Sequence, residues 1–305
     1  MPFVDVALLV TLSGIWGSSF MFMRYLAPLL GAAMTADMRI LIAGLALTAF
    51  FAATKFSLGW KKNWKHFLVI GLVNSGIPFL LYSFAALYLP ASVEVIFNSM
   101  SPLFGSVLSA LWLDEPLSLR RLAALVLGLA GVLTVSSLGA VPPSPWAIPS
   151  VLACLAATIC YALAGVYIKK RASDLKPRAT AAGSQLVAGA ALLPLALATR
   201  PASSSAPGTL IVLLVFALLC SALAYLIYYR LIADVGPTKA LTVTFLMPVF
   251  GMFWGWLFLD ERIGLSMIGG TLLILAGTFL VAASGSPSRL PPASRDGSQP
   301  SSSTR

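Results

Sequence analysis

Polar and aromatic side chains recur at helical spacing inside stretches that are otherwise apolar. On one such stretch Asn74, Pro78 and Tyr82 are four residues apart, and on the next Glu94 and Asn98 have the same spacing. Residues three or four apart share one face of a helix, and a polar face is costly against lipid. Both stripes are therefore predicted to face inward, where they could hydrogen-bond a polar solute or, as the alternative, neighbouring helices.

Matching residues occur in the second half of the chain, where Ser221, Tyr225 and Tyr228 form a corresponding stripe. The aromatic residues Trp16 and Tyr161 lie in the middle of their apolar runs rather than at the ends, where interfacial anchors are found. We predict that such residues line a cavity for a small-molecule substrate; the alternative is that the rings fill packing gaps. The predicted lining residues are Trp16, Asn74, Pro78, Phe79, Tyr82, Glu94, Asn98, Ser101, Tyr161, Tyr225, Thr242 and Phe245.

Glu94 is the acidic residue whose position suggests a role. It lies about one turn into its helix and has no acidic counterpart in the second half. Its carboxylate could hold a substrate ammonium group or carry a proton, or the dipole at the helix N-terminus could simply stabilise it. Arg39 is near the same end of the bundle and could pair with Glu94 or extend to the membrane interface. No lysine or arginine is expected deep in a span.

Residues that could perform catalysis or bind a metal are not arranged for it. The pairs Asp114-Glu115 and Asp260-Glu261 are adjacent in sequence and cannot converge on one reacting atom; each is predicted to stabilise the N-terminus of the helix that follows. His66 is the single histidine and is expected in a solvated loop. The cysteines lack metal-ligand spacing, and no nucleotide-binding P-loop occurs. We predict no enzyme activity, no catalytic residue, no metal and no cofactor.

The elements that would position these residues are membrane-spanning helices. The chain has 305 residues, of which 59% are hydrophobic and 10% charged, whereas a soluble domain is about half apolar and a quarter charged. This composition excludes a soluble enzyme, a disordered protein and a disulfide scaffold. Continuous apolar runs of this length predict helices rather than barrel strands, and hence an all-α polytopic membrane protein. The ten predicted spans are 4–23, 34–54, 66–88, 91–113, 119–138, 147–168, 180–199, 209–229, 239–259 and 263–284.

Basic residues are concentrated on one side of these spans. Of the 20 lysines and arginines, 16 fall on the side of the N-terminus and 4 on the opposite side, namely Arg24, Arg39, Arg200 and Arg262. This bias places both termini in the cytoplasm. The net charge of +10 lies in short loops and not on a basic domain, so it does not indicate a nucleic acid partner. No signal-peptide pattern is present, so the first run is expected to be retained, and residues 286–305 are expected to form a disordered cytoplasmic tail.

The chain contains an internal repeat. The pattern Pro-x-Phe-Gly, then seven intervening residues, then Leu-Asp-Glu occurs at 102–115 and again at 248–261, an offset of 146 residues. We predict two five-helix repeats, residues 1–140 and 146–285. Because five is odd, the second repeat must cross the membrane in the opposite sense, as in secondary transporters whose inverted halves enclose a site near the bilayer midplane.

These features resemble the drug/metabolite transporter superfamily and, within it, the EamA family. The resemblance covers residues 5–284 and rests on the ten spans in two halves, on Trp-Gly-Ser-Ser at 16–19, on Met-Arg-Ile at 38–40, and on the repeated proline-to-Leu-Asp-Glu pattern. The family pattern usually has Gly-Glu where this chain has Asp-Glu. Within the family the chain is most similar to the bacterial aromatic amino acid exporters often called YddG.

The resemblance implies a carrier with a central cavity between its halves. It would export amino acids, aromatic or other neutral ones, and related small metabolites across the bacterial inner membrane by alternating access, without ATP or another cofactor. The implied partners are the small-molecule substrate and the lipid bilayer; the oligomeric state is left open, and a monomer is compatible with the fold. Alternatives of the same fold are carriers of cationic drugs or nucleotide sugars. A channel or an intramembrane enzyme is less favoured, because neither a filter-like ring nor a buried catalytic constellation is present.

Overall fold

The described part of the chain consists of helices and the turns that connect them. The computed structural model describes residues 1–113, 118–199, 201, 207–240 and 242–282, and no strand occurs in these ranges. The main helices in chain order are α1 Phe3–Leu30, α2 Ala32–Ala53, α3 Trp60–Ala85, α4 Ala91–Trp112, α5 Leu119–Ser137, α6 Ala147–Arg171, α7 Pro177–Ala198, α8 Gly208–Val235, α9 Val243–Leu259 and α10 Leu265–Ala282. A short helical segment, Pro237–Ala240, precedes α9. The predicted tail and the pair Asp114-Glu115 lie outside the described residues.

Ten of these helices match the ten predicted spans. In the described ranges nine are at least 18 residues long and apolar enough to cross a bilayer, and α9 is a shorter apolar helix of 17 residues. The prediction of an all-α polytopic membrane protein with ten spans is confirmed. The predicted boundary of the first span is wrong: α1 continues to Leu30 because apolar residues resume directly after Arg24, so this arginine lies within a helix and not in a loop.

Three spans depart from regular α-helix near the middle of the bundle. α3 passes through a π-helical turn at Leu72–Gly76 and α8 through one at Leu218–Leu223, and the two turns begin 146 residues apart. A π-turn rotates the side chains that follow it and is frequent at functional sites. α4 is divided into Ala91–Asn98 and Ser101–Trp112, with Pro102 at the start of the second segment, where a missing N–H is tolerated.

The helices pack in pairs that recur between the two halves. α1 packs along α9, and α6 packs along α4; at the repeat offset α6 corresponds to α1 and α4 to α9. The pairs α2 with α7 and α5 with α10 each join a helix to its own counterpart. This is the pattern expected of two five-helix halves exchanged by a twofold rotation. We call the face on which α1 begins the terminal face, and the face on which it ends the distal face.

Glycines allow α5 and α10 to approach closely. A Cβ atom added at Gly131 would lie 2.6 Å from the carbonyl oxygen of Gly270, and one added at Gly277 would lie 2.6 Å from the carbonyl oxygen of Ala124. Small residues permit such contact between membrane helices, whose association depends on packing because lipid supplies no hydrophobic drive.

Gly131→Val is therefore expected to destabilise the bundle, because the new side chain meets backbone that cannot move aside. Overpacking of this kind costs about 1–3 kcal/mol. The measurement is the thermal midpoint of the purified protein, followed by fluorescence-detected size exclusion. Gly165→Val is the control, since a Cβ atom there meets no heavy atom within 4 Å. Equal midpoints for the two variants would contradict the assigned packing.

Candidate functional site

Arg39 lies inside the helix bundle, with 4% of its surface exposed. Its Nε donates a hydrogen bond to Oγ of Ser221 at 2.9 Å, and its Nη2 donates to Oγ of Ser19 at 3.3 Å and to the carbonyl oxygen of Cys220 at 3.4 Å. These partners belong to α1 and α8, so one guanidinium connects α2 to a helix of its own half and to a helix of the other half. All three partners are uncharged.

Two aromatic rings enclose the same guanidinium. Its Cζ is 3.8 Å from the ring centroid of Phe79 on α3 and 4.6 Å from that of Phe216 on α8, both within the reach of a cation–π interaction. Ring faces and hydroxyl groups thus replace the headgroup water that an arginine near a helix end otherwise finds.

This position corrects the expectation for Arg39. Within the described ranges the carboxyl oxygens of Glu94 and Asp37 have no hydrogen-bond partner, so neither residue pairs with Arg39. The side chain does not extend to the membrane interface, and the expectation that no arginine lies deep in a span is wrong. The reason is tertiary: the face of α2 that carries Arg39 is turned towards α1, α3 and α8.

Tyr82 and Asn98, predicted on neighbouring polar stripes, are in direct contact. The Tyr82 hydroxyl donates to Oδ1 of Asn98 at 3.0 Å, and the Ser101 hydroxyl donates to the Asn98 carbonyl oxygen at 2.7 Å. Asn98 ends the first segment of α4, so its carbonyl group is available to a side chain. The Tyr82 ring meets that of Phe20 edge-on at 5.2 Å and stacks with that of Tyr161 at 6.3 Å between centroids.

A second aromatic group lies between α1 and α8. The centroid of the Trp16 ring is 6.1 Å from that of Tyr225. Tyr225 is also a neighbour of Asn74 on the π-turn of α3. Tyr161 and Tyr225 are both ionisable neighbours of Arg39. Three of the predicted aromatic residues, Phe79, Tyr161 and Tyr225, are therefore close to a cation that the sequence pattern did not place there.

The remaining predicted lining residues are placed less centrally. Pro78 is buried in α3. Thr242 is exposed just before α9, and its hydroxyl donates to the carbonyl oxygen of Lys239 at 2.7 Å. Phe245 is half-buried in the first turn of α9. The described contacts do not connect Thr242 or Phe245 with Arg39, since the start of α9 belongs to the terminal face.

Glu94 is completely buried, and both its carboxyl oxygens lack a hydrogen-bond partner among the described residues. Arg24 on α1 is the basic residue whose charge acts on it. The Nη1 atom of Arg24, however, donates to the carbonyl oxygen of Ala86 at 2.6 Å. The carboxyl group thus lies in the bundle without the contacts that stabilise a buried ionised acid.

The N-terminus of α4 is capped from the other half of the chain. The N–H of Ala91 donates to Oε1 of Glu261 at 2.7 Å and that of Ser92 donates to Oε2 at 3.0 Å, while the Ser92 hydroxyl also donates to Oε2. The helix needs an acceptor from elsewhere because Pro90 at its N-cap has no side-chain oxygen. We call these contacts the Glu261 latch.

The latch corrects the prediction that Glu261 stabilises the helix that follows it. The acid does cap a helix N-terminus, but that helix is α4 and not α10. Asp260 adopts a left-handed conformation with a φ of 54°. The chain therefore turns at the end of α9, next to the first segment of α4, against which α9 packs.

The other residues considered for catalysis or metal binding are His66 and the three cysteines. His66 lies in α3 and not in a loop, with its Nδ1 atom 2.9 Å from the hydroxyl oxygen of Tyr167, which corrects the expectation of a solvated residue. The three cysteines are free thiols. In the part of the chain that the structure describes, no group of three or more His, Cys, Asp or Glu side chains could hold a metal ion.

The family of this protein is shown by comparison of its whole sequence and not by any one site. The EamA-like transporter family matches the sequence twice, at residues 5–137 and 148–283. The chain belongs to this family. As an EamA-like protein of the drug/metabolite transporter superfamily it is a multi-pass membrane transporter, in agreement with the fold described above.

Relatives of this EamA-like transporter cover nearly its full length. The uncharacterized transporter YvbV of Bacillus subtilis (strain 168) is 30% identical over 280 residues, which is 90% of each chain. Protein PecM of Dickeya dadantii (strain 3937) is 28% identical over 271 residues, 88% of each chain. A solved crystal structure with 16% sequence identity superposes with a TM-score of 0.65 over 91% of this chain and 96% of the other, and shares the fold.

The sequence patterns did not predict the contacts of Arg39 with Ser19, Ser221 and Phe216. One signal for them was present, because a charged residue inside an apolar run marks a functional site in many membrane proteins. Helical spacing could not find them, since they come from two helices, α1 and α8, that are different from the helix of Arg39.

Proposed function

We propose that this EamA-like transporter exports amino acids, neutral and aromatic ones among them, and related small metabolites by alternating access. The observation that carries the proposal is the buried guanidinium of Arg39, whose hydrogen-bond partners are all neutral. Amino acid substrates share an α-ammonium group and an α-carboxylate group, and the carboxylate is the group that such a cation would bind.

The electrostatic argument starts from the cost of a buried charge. An unpaired ion in a low-dielectric interior is expensive, and a neighbouring opposite charge compensates part of that cost. A substrate carboxylate beside Arg39 would supply the missing charge. Guanidinium groups bind carboxylates through two parallel hydrogen bonds, and weak hydration makes arginine suited to buried ion pairs.

The neighbouring groups suit the rest of an amino acid. Phe79 and Phe216 hold the guanidinium between their rings, and Trp16, Tyr161 and Tyr225 offer aromatic surface to an apolar or aromatic side chain. The Tyr82–Asn98 pair offers a hydroxyl and an amide group that could replace water around the substrate's polar atoms. We propose these residues, with Asn74, Pro78 and Ser101, as the substrate site, and we assign Thr242 and Phe245 to its terminal-face entrance.

The membrane arrangement is part of the same proposal. The excess of lysine and arginine on the terminal face supports placing both chain termini in the cytoplasm of a bacterial cell, with the protein in the inner membrane. Residues 1–140 and 146–285 would form the inverted repeats, with the site between them. Within the family we propose a relationship to the YddG-type aromatic amino acid exporters.

A second candidate is a carrier of other organic anions, including nucleotide sugars. Arg39 supports this alternative over a cationic drug, because a buried guanidinium repels a cation as strongly as it attracts an anion. A phosphorylated solute carries more negative charge than one arginine balances, which is why a single carboxylate fits the site better.

The proposed function is tested by counterflow in proteoliposomes. Proteoliposomes that contain the purified protein are preloaded with an unlabelled solute, and the entry of the same solute in labelled form is measured. The solutes are neutral aromatic and aliphatic amino acids, the corresponding amines without a carboxylate, and a nucleotide sugar. We expect exchange of the amino acids and none of the amines. Exchange of the amines, or of the nucleotide sugar alone, would overturn the amino acid proposal.

A further inference from the structure

The first turn of α4 contains the carboxyl group of Glu94 and binds that of Glu261 at the distal face. Glu261 binds the backbone N–H groups of Ala91 and Ser92 and the Ser92 hydroxyl. Glu94, two residues after Ser92, is 0% exposed and has no partner at either oxygen in the described structure. The donors that an ionised carboxylate would take at this helix end are therefore already bound to Glu261.

The charged and titratable groups around Glu94 come from every side of the helix. They are Arg24 on α1, Tyr82 on α3, Cys154 on α6 and Glu261 after α9. The ranges of α9 and α10, which also pack on this segment, contain no titratable residue. Arg24 is bonded to a backbone carbonyl group, and Glu261 has the same sign as an ionised Glu94.

Glu261 also borders the surface of the protein. A surface cavity of about 450 Å³ opens beside it, lined by Trp256, Asp260, Glu261, Arg262 and Ile263. The same carboxyl group acts electrostatically on the buried Glu94.

We propose that Glu94 is a proton-binding site that controls the Glu261 latch: it holds a proton while the latch is closed, and it releases the proton to water when the latch opens. Loss of the proton creates a second negative charge next to Glu261 on the same helix turn. The two carboxylates repel each other and compete for the same N–H donors, so the ionised state favours release of Glu261 and entry of water at the distal face.

If the protein transports amino acids as proposed, this site couples the opening of the distal face to proton release. Amino acid exchange would then depend on the pH of the water at the distal face, without any change at Arg39. This coupling rests on the proposed function, whereas the latch and its proton do not, so the two can be tested separately.

Hydrogen–deuterium exchange of the full-length protein in lipid nanodiscs tests the latch without any substrate. Exchange of the peptide containing Ala91 and Ser92 is compared at mildly acidic and at alkaline pH, with times scaled for the intrinsic rate. In wild type we expect the protection factors of these amides to fall about tenfold or more at alkaline pH. Their hydrogen bonds to Glu261 are then lost, and hydrogen bonds to a charged group are stronger than those between neutral groups. Glu94→Gln should stay protected at both pH values, and Glu261→Gln should be weakly protected at both.

Asp37→Asn is the matched control. Asp37 is also a completely buried acid with both oxygens unpartnered, but it lies on α2, so this variant should keep the pH response of wild type. A wild-type latch that does not respond to pH, or a Glu94→Gln variant that responds as wild type does, would overturn the proposal. A response abolished equally by Asp37→Asn would overturn it as well.

Transport measurements separate this inference from the proposed function. Glu94→Gln should lose the response of amino acid exchange to the pH at the distal face, because glutamine has the shape of glutamate but cannot take up or release a proton, whereas Asp37→Asn should keep that response. A pH-dependent latch in a protein that moves no amino acid would refute the proposed function alone. Amino acid exchange with a latch that ignores pH would refute the proton site alone.

Discussion

Arg39→Met is expected to abolish transport of amino acids while the protein still inserts and purifies as wild type does. Methionine keeps much of the volume of the side chain but removes the charge and the N–H groups of the guanidinium. Leaving a buried charge without its partner costs about 3–5 kcal/mol, which for the substrate carboxylate corresponds to a loss of more than about a hundredfold in affinity.

The measurement is counterflow of a labelled amino acid together with the thermal midpoint of the empty protein. Arg230→Met changes the net charge equally but removes an exposed pair with Asp234, so its transport should equal that of wild type. Arg39→Lys should be intermediate, because it keeps the charge and loses the planar fork.

The thermal midpoint distinguishes binding from folding. Replacing a buried, uncompensated ion by an apolar side chain of similar volume is often neutral or stabilising, so the midpoint of empty Arg39→Met should not fall. If it falls sharply and the surviving protein still exchanges amino acids, Arg39 stabilises the bundle through Ser19 and Ser221 and does not bind the substrate.

The spans could be predicted from the sequence because their cause is local. An apolar run of about 20 residues must be a helix in lipid, since it has to satisfy its own backbone, and the ten runs gave ten helices. The ends were harder to predict: the first predicted span stops at residue 23, before Arg24, yet α1 continues through this residue and its guanidinium donates to the carbonyl oxygen of Ala86.

The sequence patterns did not predict contacts between segments that are far apart in the chain. Helical spacing correctly identified the inward stripe of α3 and α4, and the structure joins Tyr82 to Asn98. It could not show that Glu261 reaches the start of α4, 170 residues earlier at Ala91. The surroundings of Arg39 are likewise set by how α1, α3 and α8 meet, and the spacing within α2 contains no information on them.

These two kinds of contact suggest a division of roles within the distal half of the bundle. In the proposed site Arg39 would provide the charge that an acidic substrate group needs, whereas the Tyr82–Asn98 pair would provide neutral hydrogen-bonding groups between α3 and α4. The two clusters are linked by Tyr161, which stacks with Tyr82 and neighbours Arg39. A substrate bound between them would contact both, so the pair should influence affinity even though it carries no charge.

Tyr82→Phe and Asn98→Ala should therefore each raise the KM for transport about tenfold, with little change in the amount of protein in the membrane. Each leaves one polar group of the pair or of the substrate unpaired, at a cost of about 1–3 kcal/mol. The KM of the double variant should be about equal to that of the more strongly affected single variant. The reason is that the two groups act through one hydrogen bond, so their effects are not additive. The measurement is the concentration dependence of labelled amino acid uptake for all three variants.

Tyr167→Phe is the matched control for this experiment. Its hydroxyl oxygen is 2.9 Å from Nδ1 of His66 near the terminal end of α6, so the same chemical change there should leave the KM unaltered. Wild-type KM values for Tyr82→Phe and Asn98→Ala would place the substrate elsewhere, closest to Arg39 and the rings of Phe79 and Phe216. Failure of both variants to accumulate, with a normal Tyr167→Phe, would show that the Tyr82–Asn98 hydrogen bond holds α3 against α4 and takes no part in binding.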